Sequence, residues 1–293
     1  MSDSNQSFFD RVMLLDRRWV FLVLAVVVVG SYYIKMKVPV PASNEVRSVY
    51  NAIEALQPGD KILLAIDYDP NALAELHPMT YAILEQCWRK HIGVIIPSLS
   101  QNGAGMAEQA ILDIADSCSV DRTYNGVEYK GRKIVNGVDY CFLGYRAFFE
   151  LVIAGMGQNF RTMYAKDYYD TPLDSIPIMQ GVQNYDDVKM VVDISGSNVV
   201  DAWIKYAAAR YDVKLALGLT GVMTADYYPY LGSKRIFGLM GGLLGAAEYE
   251  RLADNPGLAM DGMKVQVWSH LTIILFIVIA NIGYFGSRKK KGL

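Results

Sequence analysis

Apolar runs alternate with amphipathic stretches along most of the chain. Five runs are apolar almost throughout and only a few residues long, which predicts buried strands. They are "KILLAI", "GVIIPS", "DYCFLG", "KMVVDIS" and "KLALGLTG". Stretches with apolar positions three or four residues apart separate these runs, and "EVRSVYNAIEAL" places Val46, Val49 and Ile53 on one helical face. The alternation predicts a Rossmann-like three-layer α/β domain with about five mainly parallel strands.

Two stretches do not fit the simple alternation. Residues 164–187 form a polar segment too long for a mere connector, which we interpret as a candidate binding or contact segment. Residues 233–254 follow the last apolar run, and we expect them to be helical. Together these stretches complete the middle portion of the chain.

Both ends of the chain carry long uncharged apolar runs. They are "WVFLVLAVVVVGSYYI" at 19–34 and "WSHLTIILFIVIANIGYF" at 268–285. Each approaches the length that a bilayer core demands, and aromatic residues flank both, so both are predicted to be transmembrane helices. The predicted organisation is a cytoplasmic segment 1–18, a first span 19–34, a linker 35–44, an α/β domain 45–256, a linker 257–267, a second span 268–285 and a basic tail 286–293.

Basic residues are concentrated outside the two spans. The outer flanks hold Arg11, Arg17, Arg18, Arg288, Lys289, Lys290 and Lys291. The inner flanks hold Lys35 and Lys37 and, farther off, Arg47, Arg251 and Lys264. The positive-inside rule then predicts cytoplasmic termini and an extracytoplasmic α/β domain at the cell (inner) membrane. Since no small-residue cleavage site follows the first run, we expect an uncleaved anchor there.

Composition and the absence of known motifs argue against several classes of function. The 293 residues carry a net charge of −2, which gives no electrostatic footprint for nucleic acid. Three cysteines and three histidines are too scattered to predict a metal site. The chain also lacks a Walker loop, a zinc-protease helix motif and a serine-hydrolase elbow, so no cofactor is expected and a non-catalytic role is favoured.

The stretch "KILLAIDYDP" ends the first predicted strand with Asp67 and Asp69. A D-x-D at this place resembles the opening motif of haloacid-dehalogenase-like phosphatases. Those enzymes need a threonine or valine soon after the second aspartate, where this chain has proline and asparagine. They also need a late acidic pair, and the nearest set here is Asp193 with Asp201, the latter inside a predicted helix. A phosphatase-like site with Asp67, Asp69 and Asp193 therefore stands beside the other interpretation, a turn that leaves the strand.

Small and polar residues follow two other strands of the predicted sheet. In parallel sheets the carboxyl ends of strands form the edge where ligands bind. The candidate ligand-binding residues there are Ser98, Ser100, Gly103 and Gly105 in "SLSQNGAGMAE" and Ser195 and Ser197 in "DISGSN". Each group leads into a predicted helix whose N-terminus can attract an anion, although a tight turn in the first group and a helix cap in the second are the favoured interpretations.

The C-terminal part of the domain holds the candidate interface residues. In "FGLMGGLLGAAEYE" two glycines four residues apart offer a smooth apolar face for close approach, either to the sheet or to another subunit. The nearby "DYYPY" supplies large aromatic side chains with polar tips, which favour protein contacts. The candidate residues are Gly241, Gly245, Tyr227, Tyr228 and Tyr230.

Three stretches carry a resemblance to a known family. "IDYDP…HPMTYAILEQCWRKHIGVIIPS", "PIMQGVQNYDDVKMVVDIS" and "GLTGVMTADYYPYL…GLMGGLLGAAEYE" resemble a family of uncharacterised prokaryotic membrane proteins. The resemblance implies two terminal spans around an α/β core and brings no catalytic residues. We therefore expect a non-catalytic assembly or accessory subunit that contacts the bilayer and either its own copies or other membrane-protein subunits. The alternative is a ligand-binding or phosphatase-like hydrolytic domain.

Overall fold

The computed structural model describes residues 16–34, 36 and 38–290. Of the basic residues in the charge argument, Arg11, Lys35, Lys37 and Lys291 lie outside the described part. The described chain divides into two units. One is a compact domain, Val40–Met260, and the other comprises the terminal segments before and after it.

A parallel sheet forms the centre of the Val40–Met260 domain. The strands of the domain are β1 Lys61–Asp67, β2 Gly93–Ser98, β3 Arg122–Tyr124, β4 Val127–Tyr129, β5 Tyr140–Tyr145, β6 Val191–Ser195, β7 Leu215–Leu219 and β8 Gly238–Gly241. Within the described residues six of them pair in the order β5-β2-β1-β6-β7-β8, all parallel, and β3 with β4 forms a separate antiparallel hairpin. The α/β fold predicted from the apolar alternation is confirmed, with six strands instead of five.

Helices cover both faces of this sheet. They are α1 Arg17–Tyr33, α2 Asn44–Glu54, α3 Leu73–Arg89, α4 Gly103–Ser117, α5 Phe149–Met156, α6 Phe160–Met163, α7 Val199–Ala202, α8 Ala209–Tyr211, α9 Gly221–Gly232, α10 Gly242–Leu252 and α11 Leu258–Lys290. A π-helical turn, Trp203–Ala208, joins α7 to α8. The short 3-10 turns are Pro70–Ala72, Leu173–Ser175, Pro177–Met179 and Tyr185–Asp187. On one face α3 packs against α4 and α10, while α5, α7 and the π-helical turn pack together on the other.

The sixth strand lies inside the stretch that we expected to be helical throughout. Residues 233–254 contain β8 followed by α10, and the expectation of one helix was wrong. Gly238 lets the strand pass against α2, because a Cβ there would collide with Val49 and lie 3.1 Å from the carbonyl oxygen of Glu45. Gly242 then turns the chain into α10 with a φ of +57°, a conformation that glycine adopts readily.

The polar segment 164–187 contributes to the core. Its backbone runs through three short 3-10 turns, and its apolar side chains Leu173, Ile176, Met179 and Val182 are buried against the sheet. Tyr185 is also buried, and its hydroxyl donates to the carbonyl oxygen of Ile153 at 2.7 Å. The segment thus covers the sheet in the way that a crossover helix does elsewhere in the fold, and this role accounts for its length.

The terminal helices differ in length. Among the described residues, Leu258–Gly286 is the one helix long and apolar enough to cross a membrane, judged by length and composition. The N-terminal helix α1 has 17 residues, and its apolar side chains are mostly exposed. The expected linker 257–267 is helical from Leu258 onwards. Glu250 explains this start, since its carboxylate accepts hydrogen bonds from the backbone N–H groups of Gly257, Ala259 and Met260.

Candidate functional site

The strand order places one pair of strand ends at a special position. From β1 the chain builds outwards through β2 and β5, then returns and builds the other way through β6, β7 and β8. The loops after β1 and β6 therefore diverge, and ligands of open α/β sheets bind at this kind of topological switch point. Asp67 ends β1 and lies opposite Ser195 of β6, while Asp193 lies opposite Ala65.

Asp67 is fully buried and held on both sides. One of its carboxylate oxygens accepts the backbone N–H of Leu99 at 2.5 Å, and the other accepts the indole Nε1–H of Trp203 at 2.9 Å. Leu99 follows β2, and Trp203 begins the π-helical turn after α7. The carboxylate therefore fastens β1 to the loop of one neighbouring strand and to the helix of the other.

Asp193 is the second buried carboxyl group at the switch point. It lies on the same face of the sheet as Asp67. Neither Asp193 oxygen has a hydrogen-bond partner among the described residues. The two N–H donors at Asp67 favour the charged form there, whereas Asp193 has no donor in the described chain that would compensate a charge. Asp193 is accordingly the member that carries the proton.

The acidity of the pair follows from its surroundings. Burial raises the pKa of Asp193 well above its usual value, and the neighbouring Asp67 charge adds to the effect. Burial also raises the pKa of Asp67, although the hydrogen bonds from Trp203 and Leu99 oppose the rise. The site is thus an aspartate next to a neutral aspartic acid, both closed to solvent.

Tyr164 and Trp203 complete this cluster and were missed from the sequence. The Tyr164 hydroxyl is buried without a hydrogen-bond partner in the described chain. Burial raises the pKa of Tyr164, and the Asp67 charge adds to the rise. Trp203 lies in a stretch whose pattern indicates only a core helix, and Tyr164 opens the polar segment 164–187, so no local signal connects either residue with Asp67.

The remaining residues at the end of β2 form a tight connection. Ser100 donates its hydroxyl to Asp69 at 2.5 Å, and Ser98 donates to the carbonyl oxygen of Ile66 at 2.7 Å. Gly103 starts α4 so close to β1 that a Cβ would lie 2.6 Å from that same carbonyl oxygen. Gly105 has open space around its Cα. The two serines are engaged inside the protein, and ligand binding by this group stays a prediction.

The residues after β6 are engaged in the same way. The Ser195 hydroxyl donates to the carbonyl oxygen of Asp67 at 3.3 Å and accepts the backbone N–H of Ser197 at the same distance. The helix that follows, α7, has only four residues before the π-helical turn. Ligand binding by Ser195 and Ser197 stays a prediction.

Four of the five candidate interface residues pack within the domain. A Cβ on Gly241 would lie 2.7 Å from the Thr224 hydroxyl, and one on Gly245 would lie 2.9 Å from the Met240 backbone. Tyr227 and Tyr230 stack on each other with ring centroids 5.9 Å apart. Tyr228 is the member of the set that is exposed, with 52% of its surface accessible.

An exposed apolar segment begins at the last residue of β5 and continues into α5. Tyr145, Phe148 and Leu151 are all exposed, and Phe148 keeps 77% of its surface accessible. Phe148 also has a φ of +63° and occupies the position before α5 where a capping polar residue is usual. A bulky residue in this left-handed conformation costs about 1–2 kcal/mol, and such strain clusters at functional positions.

Comparison with known proteins adds little to this geometry. No protein-family model matches the chain, and no curated protein matches it. Among solved structures, a trehalose-6-phosphate synthase matches with a TM-score of 0.29 and 11% identity, covering 86% of this chain and 47% of its own. The chain thus spans about half the length of that enzyme, and a likeness at this score carries no argument. The described residues also contain no group of three or more metal-ligating side chains.

The protonation of the aspartate pair predicts that two conservative changes differ in their effect on stability. Asp67→Asn leaves one N–H donor facing an amide NH₂ group, which should lower the free energy of unfolding by about 1–3 kcal/mol. Asp193→Asn keeps a neutral donor beside Asp67 and should be tolerated. Urea unfolding of the two variants measures the difference, and equal losses would contradict the assignment.

The assignment of the proton to Asp193 also predicts how the stability of the domain depends on pH. Burial raises the pKa of both carboxyl groups in the folded domain, so the folded state binds a proton at this pair more tightly than the unfolded chain, whose aspartates titrate near about 4. The pair's contribution to stability is full below that pH and is lost as the pH rises through the raised pKa. Melting temperatures between pH 4 and 9 should fall less steeply in Asp193→Asn than in the wild type. A parallel decline in both would contradict the assignment of the proton to Asp193.

Close packing at the start of α4 predicts a contrast between two neighbouring glycines. Gly103→Ala places a Cβ 2.6 Å from the carbonyl oxygen of Ile66, and this clash should destabilise the domain by about 1–3 kcal/mol. Gly105→Ala has open space and removes a weak helix former, so stability should stay equal or rise by up to about 1 kcal/mol. Thermal unfolding in the same buffer compares them, and a harmless Gly103→Ala would refute the packing argument.

Proposed function

We propose that this chain is a membrane-attached, non-catalytic assembly or accessory subunit that joins its own copies or other membrane-protein subunits through the exposed segment after β5. The observation that carries the proposal is Phe148, an aromatic side chain held exposed in a strained backbone conformation. The domain gains no packing from a side chain in this position, and an asparagine or glycine would relieve the strain. A contact with another chain would bury the Phe148 ring, and this burial would account for an aromatic residue at this strained position.

The neighbours of Phe148 support a contact surface. Tyr145 and Leu151 are exposed on the same short segment, and aromatic residues are enriched at protein interfaces. Arg146 lies between them and is itself exposed, with its Nε donating to the carbonyl oxygen of Met163 at 3.0 Å. This mixture of apolar, aromatic and arginine side chains is typical of interface anchors.

The closed switch point argues against catalysis there. A nucleophile or general acid must reach its substrate, and Asp67 and Asp193 are both fully buried. Asp67 is further occupied by Leu99 and Trp203. These observations support a structural role for the two aspartates.

Membrane attachment through both ends is part of the same proposal. The helix Leu258–Gly286 supports the C-terminal span. For the N-terminal span the support is the helical conformation of Arg17–Tyr33, with Trp19 and Tyr33 exposed near its ends. The basic residues outside both runs support cytoplasmic termini and an extracytoplasmic domain at the cell membrane.

A second candidate function is phosphatase-like hydrolysis or ligand binding at the switch point. A neutral Asp193 beside a charged Asp67, with the unpartnered Tyr164 hydroxyl in the same cluster, is an arrangement able to move a proton. This function requires that the residues that bury Asp67 and Asp193 move apart to admit a substrate. Hydrolysis of a general phosphomonoester by the wild type, lost in Asp67→Asn while the fold is retained, would favour it over the assembly role.

The assembly role predicts that Phe148 separates association from stability. In Phe148→Asn the strain is relieved, so the melting temperature should stay equal or rise, while association should weaken about tenfold or more. The measurement is the mass of the full chain and its co-purifying partners in lipid nanodiscs. Leu112→Asn is the matched control, because Leu112 is an exposed apolar residue, 59% accessible, on α4. A monomeric wild type without partners, or unchanged association in Phe148→Asn, would overturn the proposal.

A further inference from the structure

A cavity of about 450 Å³ lies at the opposite end of the sheet from the aspartate pair. The end of α3, the end of α4 and the β3–β4 hairpin with the residues after it enclose it. Its volume falls in the range of small-molecule sites in proteins. We refer to it as the basic pocket because its lining holds Arg89, Arg122, Lys130 and Arg132 against the two carboxylates Glu85 and Glu128.

Two hydrogen-bond donors at the basic pocket lack acceptors. The indole Nε1 of Trp88 and the Nε of Arg132 are buried, and neither has a partner among the described residues. Trp88 itself is fully buried, with its ring 5.7 Å from that of Tyr140. An unsatisfied buried donor is costly, and two around one cavity call for a ligand rich in acceptor atoms.

The other groups around these donors are already engaged, so the pocket geometry is held in place. Arg132 donates from its two terminal nitrogens, at 2.7 Å to Asp139 and at 2.9 Å to the carbonyl oxygen of Trp88. Arg89 lies over the Tyr124 ring, 3.5 Å from its centroid, and faces Tyr129 at 5.5 Å. Preorganised cations of this kind favour binding, because little side-chain freedom is lost.

The negative groups nearby do not cancel the basic character. Glu85 is shared between Arg122 at 3.7 Å, the Tyr124 hydroxyl and the Asn255 amide. The carbonyl oxygens at the end of α3 are also engaged, since His91 and Ile92 donate to those of Trp88 and Cys87. Glu128 is exposed on the hairpin. Asp139 pairs with Arg132 at 2.7 Å, and Asp121 accepts the backbone N–H of Gly131 at 2.6 Å. Arg89 and Lys130, which have no ion pair among the described residues, and the two free donors remain for an incoming anion.

From these observations we propose that the basic pocket binds a phosphate group. Arginine matches phosphate oxygens with paired N–H groups, and the indole N–H adds a third donor of fixed position. The volume leaves room for the group that the phosphate is attached to. This binding site goes beyond the assembly role, and neither depends on the other.

Two sources of phosphate fit this chemistry. The hairpin beside the pocket is fastened to residues just before the long apolar helix, with the Asn125 backbone N–H donating to Asp254 and its side chain to the Leu252 carbonyl, both at 3.0 Å. A phospholipid headgroup is one source, since the helix Leu258–Gly286 is long and apolar enough to cross a membrane. A soluble phosphate compound is the other.

The test uses the full chain in lipid nanodiscs. In one arm, discs of zwitterionic phosphatidylcholine are titrated with inorganic phosphate, with chloride at equal ionic strength as the reference, and the melting temperature reports binding. In the other arm, discs containing phosphatidylglycerol are analysed by native mass spectrometry for retained anionic lipid. Saturable binding of phosphate identifies a soluble ligand, and retained lipid without phosphate binding identifies a headgroup. Absence of both overturns the proposal.

Two variants connect any binding to the pocket. Trp88→Phe removes the indole donor but keeps a ring, and Arg122→Gln with Lys130→Gln removes two exposed cations; each should weaken binding about tenfold or more while the protein still folds. The matched control is Lys214→Gln with Lys234→Gln, two exposed lysines outside the pocket. Wild-type affinity in both pocket variants, or an equal loss in the control, would also overturn the proposal.

Discussion

The buried carboxylate of Asp67 is the interaction on which the centre of the domain depends. It accepts hydrogen bonds from the loop after β2 and from the π-helical turn after β6, and the buried Asp193 lies on the same face of β6 itself. A buried charge is tolerated only when donors compensate it, so the geometry of all three segments must be maintained together. The π-helical turn has a clear place in this arrangement, because it begins at the tryptophan that supplies one of those donors.

The same constraint explains why a site suited to ligands is closed. The strand order is that of dinucleotide-binding Rossmann domains, whose switch point is normally an open crevice over a glycine-rich turn. Here β1 leads into a proline-containing 3-10 turn, and the hydroxyl groups of Ser98, Ser100 and Ser195 are hydrogen-bonded within the protein. The surfaces that we propose for contact and for binding lie elsewhere, at the exposed segment after β5 and at the basic pocket by the hairpin.

How far the sequence determined these findings depends on the range of each interaction. The five long strands were predictable because each is a continuous apolar run, and the meeting of Asp67 with Asp193 follows from both lying on strands of one parallel sheet. The strand Gly238–Gly241 escaped because four residues bounded by glycines are too short for a periodicity. The hairpin did leave a local signal, the Asn125–Gly126 pair with φ of +49° and +75° between two strands. Trp203, Leu99 and Tyr164 reach the site only through the tertiary fold, and no pattern near Asp67 indicates them.

The hydrogen bond between Asp67 and Trp203 joins residues 136 positions apart in the chain, and this separation has a consequence for the order of folding. The central strand β1 is made early during synthesis, yet its neighbour β6 is among the later parts of the domain. Until the ribosome has released residues beyond Trp203, the nascent N-terminal half exposes one side of β1 and an uncompensated aspartate. Parallel sheets with such distant pairings fold slowly, because the chain entropy of closing the loop precedes the gain from contact. The unfinished half is thus prone to aggregation until β6 and Trp203 have been synthesised.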